Sequence, residues 1–343
     1  MKQIVRIDAS CIKESSCFRR LYLIAIEGYR ERKLNNDIHY GTCFHKCAEV
    51  LELTGGDMPR AVLAAQDLWR EKEATLYVKS TKKFLTLAHL TMSCQMYCQQ
   101  RTTNNIFTGV DYLKVAGVPL VEQKASIPIY EDDGLLILLQ GTIDGIVKIK
   151  NGCVAIADWK TTASWDVVEY FQGYKLSPQL KTYFYQLNYY RTHYRSSPIA
   201  QALGDGQIGA FIYGAFLSAG DIVKFEKSEI FWFNKTVMED YQHKLNLLVN
   251  KIRTAIECGV LPPADGSFNG SCVGNTGYKC KFFNACASEA QMNGSSALVY
   301  HYLNSNFKKT PYTPLDFGGG SKQKQTESIQ INEKDTVSVG TIE

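Results

Sequence analysis

Apolar residues recur along this chain with two different periods, and the change from one period to the other divides the sequence. Over 59–77 and 81–100 they follow the spacing of amphipathic helices. Over 118–130 and 135–150 the pattern is typical of strands, and 154–161 is almost entirely apolar, as in a strand buried on both faces. The sequence therefore predicts a helical N-terminal region followed by a β-rich core.

The second half of the chain alternates between helices and strands, which is typical of an α/β protein. Ser177 and Pro178 form a favourable cap and first position for an aromatic-rich helix. Strands are predicted over 207–217 and 223–233, followed by a long helix over 235–258.

Composition divides the chain into four regions. We expect a helical region over 1–104, which begins with a helix capped by Ser10, and a core over 105–260. Residues 261–290 are loop-like and contain three cysteines, whereas 305–343 are polar and nearly balanced in charge. We expect this last segment to be disordered, with no role in binding a charged partner.

Length and charge restrict the function only loosely. The 343 residues suffice for one large domain or two smaller ones, and a net charge of +4 does not by itself indicate a nucleic-acid partner. No apolar run is long enough to span a bilayer, and the N-terminus lacks a signal-peptide pattern. We therefore expect a cytoplasmic protein without a membrane partner.

The most informative polar residues lie around one predicted hairpin. Asp144 lies on its first strand, and Asp158 and Lys160 share one face of the returning strand because side chains alternate. Two carboxylates could hold a divalent metal against a phosphate, and the lysine could orient water or stabilise developing charge. An ordinary Asp-Gly turn and an accidental Asp-x-Lys are the alternative explanation.

The hairpin turn sets a geometric requirement for such a site. Asn151 and Gly152 are typical of a two-residue turn, in which the paired positions sum to 303. In that register Asp144 and Asp158 point to opposite faces of the sheet. A shared metal site therefore predicts a bulge or sharp bend at Gly145.

Two helical motifs and the cysteines add candidates. His45 could supply a nitrogen ligand, although an ordinary half-buried histidine is the alternative. Gln179 and Tyr183 lie four residues apart, so both polar tips share one helical face and could hold a phosphate or orient Lys160. The eleven cysteines are odd in number, which fits a complete disulfide framework poorly, and clustered cysteines in a reducing compartment more often bind metal.

Taken in order, these motifs resemble the RecB-like branch of the PD-(D/E)xK nuclease superfamily. The motif residues, in chain order, are His45, Asp144, Asp158, Lys160, Gln179 and Tyr183. The segments around Cys17 and Cys280 resemble the iron–sulfur members, among them CRISPR-associated adaptation exonucleases and phage exonucleases. The resemblance, which covers roughly residues 10–289, implies a restriction-endonuclease-like fold, with a central mixed sheet flanked by helices.

The resemblance also implies roles. The residues that would ligate Mg²⁺ or Mn²⁺ are His45, Asp144 and Asp158. Those that would act on the water or phosphate, or support the lysine and the DNA backbone, are Lys160, Gln179 and Tyr183. Glu122 lies where such nucleases often carry an acidic strand residue, and its role in the site cannot be separated from a structural one by sequence.

In the iron–sulfur members one N-terminal and three C-terminal cysteines hold a [4Fe–4S] cluster. The corresponding residues here are Cys17, Cys272, Cys280 and Cys286. Four thiolates suit a cubane cluster, and zinc or simple burial without metal are the alternatives. The spacing Cys-x₇-Cys-x₅-Cys departs from the usual Cys-x₂-Cys-x₅-Cys, which weakens the assignment of Cys272 most.

The implied function is a metal-dependent DNA exonuclease that acts on single-stranded or free ends, with 5′→3′ polarity as one option. The same resemblance suggests recombination or CRISPR-adaptation partners, a homo-oligomer and a phage origin. Two alternatives stay open: a nonenzymatic nucleic-acid-binding scaffold subunit, which would cut nothing, and a zinc-stapled endonuclease, which would cut circular substrates.

Overall fold

In the part of the chain that the structure describes, eight strands form a central mixed sheet, and helices flank it. The structure is a computed structural model that describes residues 2–78, 82–103, 107–150, 152–164, 166–175, 177–220, 223–264, 280–291 and 296–314. The strands are β1 (Gln3–Ile7), β2 (Tyr29–Glu31), β3 (Leu34–Asn35), β4 (Leu76–Tyr77), β5 (Val110–Tyr112), β6 (Lys114–Val115), β7 (Val118–Pro119), β8 (Val121–Glu131), β9 (Leu135–Ile149), β10 (Val154–Thr162), β11 (Ile208–Leu217), β12 (Val223–Lys227), β13 (Phe231–Trp232) and β14 (Phe307–Lys309). The α-helices are α1 (Ala9–Glu14), α2 (Phe18–Leu21), α3 (Asn36–Leu53), α4 (Met58–Lys72), α5 (Leu87–Thr103), α6 (Val167–Lys175), α7 (Pro178–His193), α8 (Pro198–Leu203), α9 (Lys235–Cys258), α10 (Phe283–Gln291) and α11 (Ser296–Asn306).

The sheet has a hydrophobic core on each face. On β10, Val154 and Ile156 pack into the first core, which is covered by α7 and α9. Ala155, Ala157 and Trp159 pack into the second core, which is covered by α3, α4 and α5. This alternation confirms that β10 is buried on both faces, and the predicted α/β class with a central mixed sheet is also confirmed.

The central sheet forks along one edge of β9. Leu139 pairs with both β1 and β8, and Gly145 pairs with both β8 and β10. Because β8 takes one edge at both points, β1 and β10 share the other edge and approach each other along it. Within the described part of the chain, no strand covers 140–144 on that edge. The fork leaves an opening in the sheet beside Asp144.

The hairpin between β9 and β10 has a different register from the one predicted. Ile149 N donates to Cys153 O, and Val154 pairs with Lys148, so that paired positions sum to 302. The connection is therefore one residue longer than a two-residue turn; Asn151 itself lies outside the described residues. The one-residue difference places positions 144 and 158 opposite each other, on one face.

The predicted bulge at Gly145 is absent from the β9–β10 ladder, which is regular up to the pair of Gly145 with Ala157. An irregularity lies instead on the neighbouring strand β8, at the residue that follows Val121, the partner of Gly145. Glu122 has a φ of +49°, a left-handed conformation that non-glycine residues rarely adopt. On either side of it the apolar side chains change faces: Ala125 packs in the first core and Val121 in the second.

Both ends of the described chain differ from prediction. The first helix is capped by Asp8 rather than Ser10 and ends at Glu14, and a second helix begins at Phe18. The strand β1 of the central sheet was not predicted at all. At the other end, residues 305–309 complete α11 and form β14, which pairs with β2, so this part of the expected disordered tail is ordered; 315–343 lie outside the described residues.

Gly145 is required by close packing next to the site. A Cβ at this position would lie 2.7 Å from Cε1 of Tyr112, whose buried ring is held by a hydrogen bond from Trp159 Nε1. We expect Gly145→Ala to lower the free energy of unfolding by about 1–3 kcal/mol, because the ring has nowhere to move. Urea denaturation would measure the change. Gly206→Ala, where a Cβ meets nothing within 4 Å, is the matched control, and equal effects of the two would contradict the packing argument.

Candidate active site

A cleft of about 640 Å³ opens at the fork of the sheet. It lies between α3, the middle of β9, the end of β10 and the beginning of α7. The polar residues that line it at its inner end are His45, Glu122, Asp144, Lys160, Gln179 and Tyr183. Five of the predicted site residues therefore meet in one cavity, together with the acidic residue of β8.

Asp144, Asp158 and Lys160 converge at the end of β10. Lys160 Nζ lies 2.7 Å from Asp158 Oδ2 and 3.9 Å from Asp144 Oδ2. Asp144 Oδ2 also accepts a hydrogen bond of 2.7 Å from the backbone N–H of Trp159. Both carboxylates are buried, so the two acids and the amine form a fixed group in which the lysine lies nearest the cleft.

His45 approaches the same group from α3. Its Nδ1 lies 3.3 Å from Glu122 Oε1 and 3.5 Å from Asp144 Oδ1. Its Nε2 lies 3.0 Å from the carbonyl oxygen of Trp159, which also accepts a 3.0 Å hydrogen bond from Lys160 Nζ. Since a carbonyl oxygen can only accept, His45 Nε2 donates in this arrangement.

Burial and neighbouring charges act against each other on the acids and the lysine. Burial raises the pKa of the Asp158 carboxyl to about 7, with Lys160 opposing the rise. For Asp144, burial is outweighed by His45 and Lys160, so the pKa of this carboxyl falls below its usual value. Burial would lower the pKa of the Lys160 ammonium, but Asp158 and Asp144 hold it well above its usual value. Lys160 is therefore a permanent cation beside two acids.

The histidine is also charged in this arrangement. Burial disfavours the imidazolium, but Asp144 and Glu122 outweigh burial and raise the pKa of His45 to about 10. Burial raises the pKa of the Glu122 carboxyl, with His45 opposing. A metal ligand must be a neutral imidazole, so a bound cation would displace this proton and take over its role of balancing the acids.

One nitrogen and two carboxylate oxygens have the spacing of a metal site. Ligand atoms of His45, Glu122 and Asp144 all lie within 4.8 Å of one another. Nitrogen with carboxylate oxygens is a donor set suited to Mn²⁺, and carboxylates suit Mg²⁺. The residues therefore fit the divalent metal that the sequence motifs imply. Asp158, which was also predicted as a ligand, lies outside this trio and pairs with Lys160 instead.

Gln179 and Tyr183 lie on the first two turns of α7, which Ser177 caps. Gln179 Nε2 lies 3.3 Å from Asp158 Oδ1 and donates a 2.8 Å hydrogen bond to the Tyr183 hydroxyl. The Tyr183 ring closes over β9, where a Cβ on Gly141 would lie 3.1 Å from Cε1 of the ring. The pair thus fixes the orientation of Asp158 and so acts on the lysine through it.

Comparison with known proteins identifies the family. The sequence matches the PD-(D/E)XK nuclease superfamily over residues 14–287. The chain belongs to this superfamily. Within the matched range, Asp144 lies beside the fork in the sheet, and Asp158 and Lys160 lie on the returning strand. No curated protein matches the sequence.

One solved structure, described as "Crystal structure of SSO0001", is similar with a TM-score of 0.26 and 9% sequence identity, over 70% of this chain and 84% of that chain. At that level the family assignment depends on the sequence match and not on this structure. The resemblance to the PD-(D/E)XK superfamily and to its restriction-endonuclease-like fold is confirmed. A PD-(D/E)XK nuclease acts on nucleic acid with a divalent metal, and the trio above could bind one. Within the described residues, no helix combines the length and the apolar character needed to cross a bilayer.

Sequence reasoning missed one contributor to this site and left the role of another open. Tyr174 of α6 lies with its ring centroid 5.5 Å from Lys160 Nζ, a cation–π contact that no local pattern signals. Glu122 was noted, but its membership in the metal trio became visible only in the structure. Its positive φ turns the carboxylate out of the regular strand pattern, and residues held in such a conformation cluster at functional sites.

Three of the four predicted cluster cysteines lie near one another. Burial raises the pKa of the Cys286 thiol to about 11, with Arg19 lowering it and the thiols of Cys17 and Cys280 adding to the rise. Cys17 and Cys280 are buried and Cys286 is half-buried. Cys272 lies outside the described residues. The structure therefore brings the N-terminal cysteine to the C-terminal pair.

Proposed function

We propose that this nuclease is a metal-dependent DNA exonuclease. The convergence of Asp144 and Lys160 with His45 in one cleft, with Asp158 buried beside Lys160, supports the nuclease part of the proposal, because phosphodiester hydrolysis needs a held metal and a cation at the phosphate together. DNA as the substrate, exonuclease action on single-stranded ends, 5′→3′ polarity and partners in recombination or CRISPR adaptation come from the resemblance alone.

Each group has a part in this chemistry. When bound, the metal would supply a more acidic water and a Lewis acid at a phosphoryl oxygen. His45, Glu122 and Asp144 would hold it, with Asp158 as a further proposed ligand. Lys160, which already lies beside both acids, would donate to a phosphate oxygen and stabilise the charge that develops there. Gln179 and Tyr183 would keep Asp158 and the lysine in place.

The direct test is the degradation of an end-labelled oligonucleotide in Mn²⁺ or Mg²⁺. We expect mononucleotides or short products from linear single strands and no cutting of covalently closed circles. Cutting of circles would favour the endonuclease alternative. Binding without cutting in either metal would favour the scaffold alternative, against which the intact set of acids and lysine argues.

We further propose that Cys17, Cys272, Cys280 and Cys286 hold a [4Fe–4S] cluster. The proximity of three of these thiols supports this. Four thiolates suit a cubane cluster, and a four-cysteine zinc site is the alternative.

The cluster proposal predicts the colour and metal content of the protein. After anaerobic purification we expect a brown protein with broad visible absorbance and about four iron atoms per chain. Cys17→Ala should lose most of the iron, whereas Cys258→Ala, which changes an exposed cysteine on α9, should retain it. A colourless protein with about one zinc per chain would support the zinc alternative.

A further inference from the structure

A second cavity of about 680 Å³ adjoins the active-site cleft. The two share Ala9 and Ser10 on one side and Tyr174 and Gln179 on the other. Because residues on both walls are common to the two cavities, they form one continuous path. Lys160 lies on this path, in contact with the ring of Tyr174. A nucleic-acid strand that extends beyond the reacting phosphate could therefore continue into the second cavity.

This second cavity is a slot lined by α1, α6 and the beginning of α7. One wall is the face of α6 that carries Tyr170, Gly173 and Tyr174, which are spaced three and four residues apart and so share a side of the helix. The opposite wall comes from α1 and includes Ser10 and Lys13. The slot thus has one aromatic wall and one small polar wall.

The aromatic wall is held in position. The Tyr170 and Tyr174 ring centroids lie 5.1 Å apart, and the two hydroxyls interact. Tyr170 also packs edge-on against Phe216 at 5.6 Å. Both tyrosines are nevertheless only partly buried. Between them in the sequence, a Cβ on Gly173 would meet no residue other than its chain neighbours within 4 Å, so the helix surface at this position is open.

The slot does not carry enough positive charge to bind several phosphates. Lys13 and Glu169 contribute one charge of each sign. The remaining lining consists of aromatic rings, hydroxyls and small residues. Such a lining suits a flat, largely neutral group, and a purine or pyrimidine base stacks well on a tyrosine ring. The single lysine at the rim can hold one phosphate beyond that base.

We propose that this slot binds the nucleotide next to the scissile phosphate, with its base stacked on the Tyr170–Tyr174 wall. The inference depends on the proposed nuclease function and names its substrate class: an unpaired strand. Because α1 lines the same cavity as the rings, the proposal requires that the base enter without its complementary partner. Base stacking tolerates every sequence, so the slot selects for single strands and not for a sequence.

The variant that tests the slot is Gly173→Leu. The new side chain starts in open space and fills the slot without displacing the backbone. Gln172→Leu places the same side chain on the neighbouring exposed residue, outside the lining, and is the matched control. A second pair, Tyr170→Ala and Tyr170→Phe, removes or keeps the ring, so the test survives if the leucine variant does not fold. Circular dichroism and thermal unfolding establish that each variant is folded.

Binding is measured in EDTA with a single-stranded oligonucleotide that carries 2-aminopurine, scanned through its first few positions. At one position we expect strong quenching by the wild type, by Gln172→Leu and by Tyr170→Phe. Gly173→Leu and Tyr170→Ala should lose that quenching and at least about fivefold in affinity, the usual cost of a lost stacking contact. A blunt duplex of the same sequence should bind at least about fivefold more weakly.

The outcomes separate the slot from the nuclease function. Equal affinity and quenching in wild type and in folded Gly173→Leu and Tyr170→Ala would overturn the slot, even if the oligonucleotide is degraded. Duplex binding as tight as single-strand binding would overturn it as well. Quenched binding that is lost in these variants supports the slot, even if no metal supports cleavage, in which case only the proposed activity fails.

Discussion

Lys160→Ala is expected to lower the rate of metal-dependent cleavage by about 10²- to 10³-fold or more, the usual cost of removing a group that stabilises transition-state charge. The ammonium lies 2.7 Å from Asp158 and 3.9 Å from Asp144, and it is the cation that faces the cleft beside them. Degradation of an end-labelled oligonucleotide in Mn²⁺, followed over time at saturating enzyme, measures the change.

Two features make this result interpretable. Lys148→Ala removes an exposed lysine from the adjacent strand β9 and should leave the rate unchanged. Removal of one partner of a buried ion pair costs about 3–5 kcal/mol of stability, so unfolding of Lys160→Ala must be measured and the assay kept below its melting temperature. Full activity in a folded Lys160→Ala protein would remove the lysine from the mechanism.

Asp144→Asn should weaken the binding of Mn²⁺ by at least about 10- to 100-fold, the effect seen even for groups one step removed from a metal. The asparagine keeps the shape and an oxygen that can accept from Trp159 N–H, but it removes the negative charge between His45 and Lys160. Isothermal titration with Mn²⁺ measures affinity directly. Cleavage should fall in parallel, because the same carboxylate belongs to the metal trio.

The matched control for this second prediction is Asp111→Asn, which changes an exposed aspartate on β5. We expect the control to bind Mn²⁺ like the wild type. If Asp144→Asn binds the metal normally but loses activity, the carboxylate acts on the substrate or on Lys160 and does not hold the ion. If both binding and activity persist, the site lies elsewhere in the nuclease.

Much of the core was predictable because the periodicity was strong. The helix α9 covers 235–258 as predicted, and Ser177 caps α7 with Pro178 at its first position. These elements are long or have clear signals at their ends, and local sequence is enough for them. The short strand β1 was missed because its pairing partner lies more than a hundred residues away.

The candidate site was only partly predictable from the sequence. Asp144, Asp158 and Lys160 were found from residue type and alternation, yet the register that unites them was predicted wrongly, because one residue more in the turn reverses every face. The position of the Glu122 carboxylate depends on a left-handed backbone conformation. The sequence does not predict that conformation, because the residue is neither a glycine nor an asparagine. Tyr174 reaches Lys160 because α6 packs against Phe216, near the end of β11.

The fork in the sheet has a consequence for how the protein folds. The opening at 140–144 is bounded on one side by β1, whose Ile7 pairs with Leu139, 132 positions later in the chain. Pairing of segments so far apart carries a large loop-closure cost and is slow compared with formation of the local β9–β10 hairpin. The two acids and the lysine can therefore come together early in folding. The strand β1, which closes one side of the cleft, pairs later, when the N-terminal segment docks on β9.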